Sequence, residues 1–205
     1  MVLDPDTTPD LADAVVTDVV DTDLDEVELV RCVLEGVRLT GRQAHRLRLV
    51  DVVLRGCELS GADLSEAQLT RVRIEGCRAE GLDLGLAKVR DLVVVGSKLS
   101  EAGLRSAELE RVRFDDCDLR RSEWQQASVA AASVIGCDLS GAHLGGARLR
   151  GVRFAGTRLD DLRGATALAG ASIGPDQVVP VAVSLFSELG IALEDDDGAD
   201  GVGSA

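Results

Sequence analysis

From Asp21 the chain divides into consecutive blocks of five, DTDLD EVELV RCVLE GVRLT GRQAH RLRLV and onward to GCDLS GAHLG GARLR GVRFA GTRLD, and the phase does not slip for 28 blocks. The fourth place of each block holds Leu, Ile, Val, Phe or Trp except at Ala44 and Ala79, and the second place is mostly Ala, Val, Cys, Leu, Ser or Thr. An amphipathic helix repeats its apolar face at about 3.6 residues and a half-buried strand at about 2. A strict five fits neither, so the repeat excludes an ordinary bundle, sandwich or α/β sheet.

A longer period lies over the first. Gly36, Gly56, Gly76, Gly96, Gly136 and Gly156 recur every 20 residues, missing at Asp116, and a second column holds Gly41, Gly61, Gly81 and Gly141. Four blocks therefore make one turn of a solenoid. With three Phe, one Trp and no Tyr in 205 residues, the core must be narrow and built from small and medium side chains. Cys57, Cys77, Cys117 and Cys137 share one inward column, and Cys32 holds another second place.

The blocks GADLS, GCDLS, EAQLT, GAHLG and GARLR resemble the A(D/N)LXX signature of the pentapeptide-repeat family, and the resemblance runs over residues 21–163. It implies an all-β solenoid, a right-handed quadrilateral parallel β-helix of about seven coils, with Leu64 and Ala62 examples of the two inward places. The first side is then centred on Leu24, Ala44, Leu64, Leu84, Leu104, Trp124 and Leu144, and the second, third and fourth begin at Leu29, Leu34 and Leu39. Arg42, a long base at an inward place beside the small Ala44, is expected to fill the missing volume with its stem.

Solenoid ends need closing. Residues 164–193 read as a C-terminal cap with one amphipathic helix, because Val178, Ala182, Leu185, Phe186 and Leu189 fall at helical spacing between Pro175 and Gly190. Leu185, Phe186 and Leu189 exceed what one coil end needs, so the segment is expected to join two copies into a homodimer as well as to cap. Residues 194–205 form an acidic, Gly-rich tail, and residues 1–20 an acidic lead-in that is either a strand or a short helix. The net charge of −14 sits mainly in these two ends, since residues 21–160 carry 21 bases against 23 acids. An acidic start and the absence of a long apolar run predict a cytoplasmic protein that neither enters a membrane nor binds nucleic acid directly.

The chemistry expected of the chain is sparse. His45 and His143 lie five coils apart, roughly 24 Å, and cannot share a metal or a triad. The cysteines point inward in one direction, as buried small hydrophobes rather than zinc ligands or disulfides. No catalytic residue, cofactor or metal site is expected. The first side bears an acidic set, Asp23, Asp25, Glu26, Asp63, Glu66, Asp83 and Glu123, while the second sums to about +3. The third exposes an apolar set, Val33, Val53, Val93, Val95 and Ile135, with contact to the N-terminal segment as the alternative explanation. These faces lead to a non-enzymatic protein-interaction scaffold with an unknown partner. The resemblance implies an alternative: a DNA-mimicking inhibitor of a type II topoisomerase, DNA gyrase, that confers quinolone protection.

Overall fold

The computed structural model describes residues 2–3, 10–19 and 24–192. The chain winds as a parallel β-solenoid of about seven coils with one short C-terminal helix. Every fifth residue from Glu26 to Asp161 has φ between +50° and +72°, so all 28 corners use the left-handed region. One such residue per block turns the chain through a corner, which is why the repeat is five and the coil square. Twelve corners are glycine; the other sixteen bear side chains at a cost of roughly 1 kcal/mol each. The glycine columns are thus the unstrained subset of a geometry that every block adopts.

Backbone ladders join each coil to the next in a register of 20, as in Glu108↔Ser128 and Arg113↔Ser133. The second and third sides carry the regular strands, continuous around their shared corner at Gln68–Glu75, Lys88–Val95 and Glu108–Asp115. The first and fourth sides contribute single bridges such as Asp63↔Asp83 and Lys98↔Asp118. Every described inward place from Leu24 to Leu162 is buried except Arg42, which is half-exposed.

The lead-in is strand, not helix. Asp10–Ala12 and Val15–Val16 pair with residues 28–30 and 33–34, in a register of 18, and bury Leu11 and Val16 as a partial extra coil.

Polar atoms inside the rod are answered by a stacked column. The Cys57 N–H donates to Cys77 Sγ at 3.3 Å, Cys77 N–H to Ser97 Oγ at 3.1 Å and Cys117 N–H to Cys137 Sγ at 3.3 Å, while Thr157 Oγ1 donates to the Val134 carbonyl at 3.0 Å. From Cys57 to Thr157 the column takes Cys, Ser or Thr, whose γ heteroatom meets backbone groups left inside at the corner, whereas Val37 holds the same place in an earlier coil. All five cysteines are free and buried, and the sulfurs of Cys77 and Cys137 accept backbone hydrogen bonds as well as filling space. The hydrogen bond to the neighbouring sulfur, followed by burial, pushes the Cys57 and Cys137 thiols well above their ordinary range.

The later coils hold the aromatic part of the core, where Phe114 and Trp124 meet edge to face with centroids 5.9 Å apart. The buried indole Nε1–H of Trp124 donates to Ser122 Oγ at 2.7 Å, and that hydroxyl donates to the Leu119 carbonyl at 2.6 Å. Ser122→Ala is expected to cost about 1–3 kcal/mol by orphaning the indole. In a Trp124→Phe background the same change should cost less than about half of that, as a double-mutant cycle in urea would show.

The chain closes with a 3₁₀ turn at Ala165–Leu168, a second at Pro175–Gln177, and the helix α1, Val178–Leu189, which ends at Gly190 with φ 69°. The inward face of α1 differs from the apolar stripe expected. Gln177, Val181 and Ser184 are buried and Leu185 is partly so, whereas Val178, Phe186 and Leu189 face outward. The reason is polar. A solenoid end presents unpaired backbone groups, and the cap answers them: Gln177 Nε2 donates to the Thr157 carbonyl at 2.6 Å, and Ser184 Oγ accepts from the Leu162 N–H at 3.2 Å.

Candidate functional site: the faces and capped end of the rod

Four of the six described acids of the first side face a base within the chain, two of them sharing one imidazole. Asp25 and Asp63 hold His45 between them, at 2.9 Å from Nδ1 and 2.9 Å from Nε2 respectively. Glu26 pairs with Arg46 at 2.9 Å and Glu123 with Arg105 at 3.3 Å, leaving Glu66 and Asp83 without an ion pair among the described residues. Asp23 lies outside the described residues.

The His45 clamp was invisible in the sequence: its carboxylates are 20 and 18 residues away and become neighbours only when coils stack. Hydrogen bonds to Asp25 and then to Asp63 raise the His45 pKa above its ordinary value. Because the folded pKa exceeds the unfolded one, the stabilisation is fully present below the unfolded value and fades as pH rises through the folded value. The Tm difference between wild type and His45→Gln should therefore be largest near pH 5.5 and shrink by about pH 9. A difference independent of pH would show that the imidazole acts without its charge.

The third-side set, Val33, Val53, Val93, Val95 and Ile135, is half-buried throughout. Val33 is covered along its backbone by the lead-in, its N–H donating to the Ala14 carbonyl at 2.9 Å. Arg73 and Arg113 interrupt the stripe between the valines, each pairing with an acid of its own strand, Glu75 and Asp115. At the corner between second and third sides, Asp13–Arg31, Asp51–Arg71 and Asp91–Arg111 form a ladder at 2.5, 2.5 and 2.6 Å. The guanidinium hydrogen bonds hold these aspartates below the usual carboxylate range.

The most exposed apolar surface is at the capped end. On or just after α1, Val178 is 52%, Val179 71%, Val183 50%, Phe186 36%, Leu189 63% and Ile191 49% exposed. Of the three residues expected there, Phe186 and Leu189 belong to this surface and Leu185 packs partly on the coil. Among the described residues no group of three or more His, Cys, Asp and Glu could hold a metal ion, and no helix is long and apolar enough to cross a membrane.

No curated protein matches the sequence. Among solved structures, the chain is similar to HetL, a pentapeptide repeat protein involved in heterocyst differentiation regulation from the cyanobacterium Nostoc sp. strain PCC 7120. That likeness has 24% identity and a TM-score of 0.50, covering 82% of this chain and 88% of that one. It is more loosely similar to QnrB1, a plasmid-mediated fluoroquinolone resistance protein, at 18% identity and TM-score 0.35, covering 90% and 99%. The family model for pentapeptide repeats matches eight copies, over residues 48–84 and 130–165. Left-handed corners run at five-residue spacing through both stretches and the coils between them, so the matched repeats belong to one unbroken series of pentapeptide repeats along this rod.

Proposed function

We propose that the protein is a non-enzymatic interaction scaffold, a stiff rod that pairs with a second copy through its capped end and offers its long sides to a protein partner. The observation that carries this reading is the outer face of α1. Six apolar side chains, each from 36% to 71% exposed, sit together at one end of the rod. A monomer seldom leaves such a patch in water, and a twofold pairing would cover the same patch on both copies. Its five unpaired thiols suit a reducing setting, so the scaffold is proposed to work in the cytoplasm. The DNA-mimic reading, with DNA gyrase as partner, draws less support. Such mimicry needs carboxylates free to meet a cationic channel, and most described acids of the first side already face a base.

Replacing Val179 and Val183, both outward, with Asp should convert the dimer to a monomer while leaving Tm within about 2 °C, because neither side chain packs on the coil. Sedimentation equilibrium reads this directly. A wild-type chain that remains monomeric at roughly 100 µM, weaker than an ordinary specific dimer, would overturn the pairing.

A further inference from the structure

Four of the five cysteines share one inward column, and they stand in it as two adjacent pairs. Along the rod the column holds Val37, Cys57, Cys77, Ser97, Cys117, Cys137 and Thr157, so each pair is closed on both sides by a residue without a thiol. An N–H inside the rod needs only an acceptor, and the hydroxyl of Ser97 supplies one to Cys77 at 3.1 Å. Sulfur is the weaker acceptor, so hydrogen bonding alone does not account for thiols placed twice side by side.

In-register coils put the two sulfurs of a pair one coil apart, about 4.8 Å. Two thiolate–metal bonds of about 2.3 Å in line span about 4.6 Å, so an ion that takes two ligands in a straight line fits between them. A disulfide needs its sulfurs at about 2.05 Å, which parallel side chains on a fixed backbone do not reach. Zinc needs four ligands, and no third His, Cys, Asp or Glu joins either pair among the described residues. Soft thiolates select Cu(I), whose filled d shell accepts linear two-coordination.

The surroundings also suit thiolates. Cys77 Sγ accepts from the Cys57 N–H and Cys137 Sγ from the Cys117 N–H, both at 3.3 Å, while Cys57 faces the N–H of Val37 and Cys117 that of Ser97. An N–H aimed at sulfur favours its charged form. The hydrogen bond with the Cys57 thiol lowers the Cys77 pKa to about 7, and that with Cys137 lowers Cys117. The second proton of each pair is held harder, on Cys57 and Cys137, and an ion must displace it. The carbonyls that now receive thiol protons are not left bare by the exchange. Those of Arg55 and Glu75 also accept the N–H groups of Gly36 and Gly56, and those of Asp115 and Ile135 the N–H groups of Gly96 and Asp116. Over the second pair lies a shallow outer cleft with only backbone at Gly136 and Gly156 and the Asp116 carboxylate, which makes no ion pair among the described residues, at its edge.

We propose that each stacked pair, Cys57 with Cys77 and Cys117 with Cys137, is a two-coordinate site for a soft monovalent ion of the Cu(I) class. Two S–H bonds break, two S–Cu bonds form, two protons leave to solvent, and the copper keeps its oxidation state. The ion takes the place of the protons between the sulfurs, so no preformed cavity is required. Filling a site ties two neighbouring coils together and makes the loaded rod harder to unfold. Both sites lie inside the rod and stand or fall separately from pairing through α1.

The test uses the full chain without oxygen, with Cu(I) supplied as its acetonitrile complex and competed against bicinchoninate. Wild type is expected to take up two ions per chain, Cys77→Ser one, and Cys77→Ser with Cys137→Ser none. Cys32→Ser, in another column, should still take up two. Serine already serves in the column at Ser97, so these variants should keep the fold, and Cys57→Ser with Cys117→Ser, which removes the other partner of each pair, should also take up none. X-ray absorption of the loaded wild type should show two sulfur neighbours at each copper, and loading should raise its Tm by several degrees while leaving the double variants unchanged. Equal uptake by wild type and the double variants would overturn the proposal. So would a third sulfur at copper, or a Tm lowered by loading, which would place the ion on thiols of the unfolded chain.

Discussion

Leu119→Asp is expected to abolish cooperative folding of the coils around it. Leu119 is 0% exposed at the centre of the fourth side, stacked between Leu99 and Leu139, and no base is buried among the described residues. An unpaired carboxylate there costs on the order of 4 kcal/mol or more, and the stacked coils on either side cannot relax away from it. Ser100→Asp, one place outward from the centre of the preceding coil, should change stability by less than about 0.5 kcal/mol. Circular dichroism melts of the two variants would separate these outcomes by tens of degrees, and similar melts would contradict the inward and outward assignment. Leu119 and Ser100 could be told apart from the sequence alone, because a strict period of five assigns each residue a direction once its phase is known.

Gly164→Ala is the second large effect expected. Gly164 has φ +75°, and a Cβ there would lie 2.4 Å from the Gly145 nitrogen, 2.6 Å from its Cα and 2.9 Å from the Leu144 carbonyl carbon. All three are backbone atoms, so neither a rotamer change nor a small shift makes room. The last coil must separate from the one before it, taking the Ala165–Leu168 turn and the seat of α1 with it. A loss of roughly 3 kcal/mol is expected from the clash and the left-handed backbone together. Gly36→Ala provides the contrast, since its φ is +64° but nothing lies within 4 Å of the added carbon. That change should cost only about 1 kcal/mol. Equal losses in urea denaturation would mean that the close approach at Gly164 is absent in solution.

Gly164 also shows where sequence reading stops. The repeat decays after Leu162, so its phase no longer says what each residue meets, and nothing in GATALAG marks a backbone contact with the coil before. The helix α1 was legible in extent, from Pro175 and Gly190, but not in rotation. Hydrophobic spacing gave Leu185, Phe186 and Leu189 to capping and pairing together without dividing them, while the coil end demanded the hydrogen bonds of Gln177 and Ser184, and the latter decided the face. His45 was missed for a different reason. Its partners are set by stacking, and the first side reads as an acidic sum until each acid is placed beside its own base. The apolar set of the third side lies along one face, and its half-buried state reflects neighbouring coils and the lead-in, which composition cannot weigh.

The proposed pairing belongs to the capped end of the rod and not to its sides. Small-angle X-ray scattering tests this most directly. Seven coils at about 4.8 Å give a stack of roughly 34 Å, to which the lead-in and cap add at either end. Pairing through the outer face of α1 predicts a maximum dimension about twice that of one capped rod, an unchanged cross-section, and reversion to the single-rod length in the Val179→Asp, Val183→Asp variant. A particle of single-rod length, or one of that length with a thickened cross-section, would contradict it.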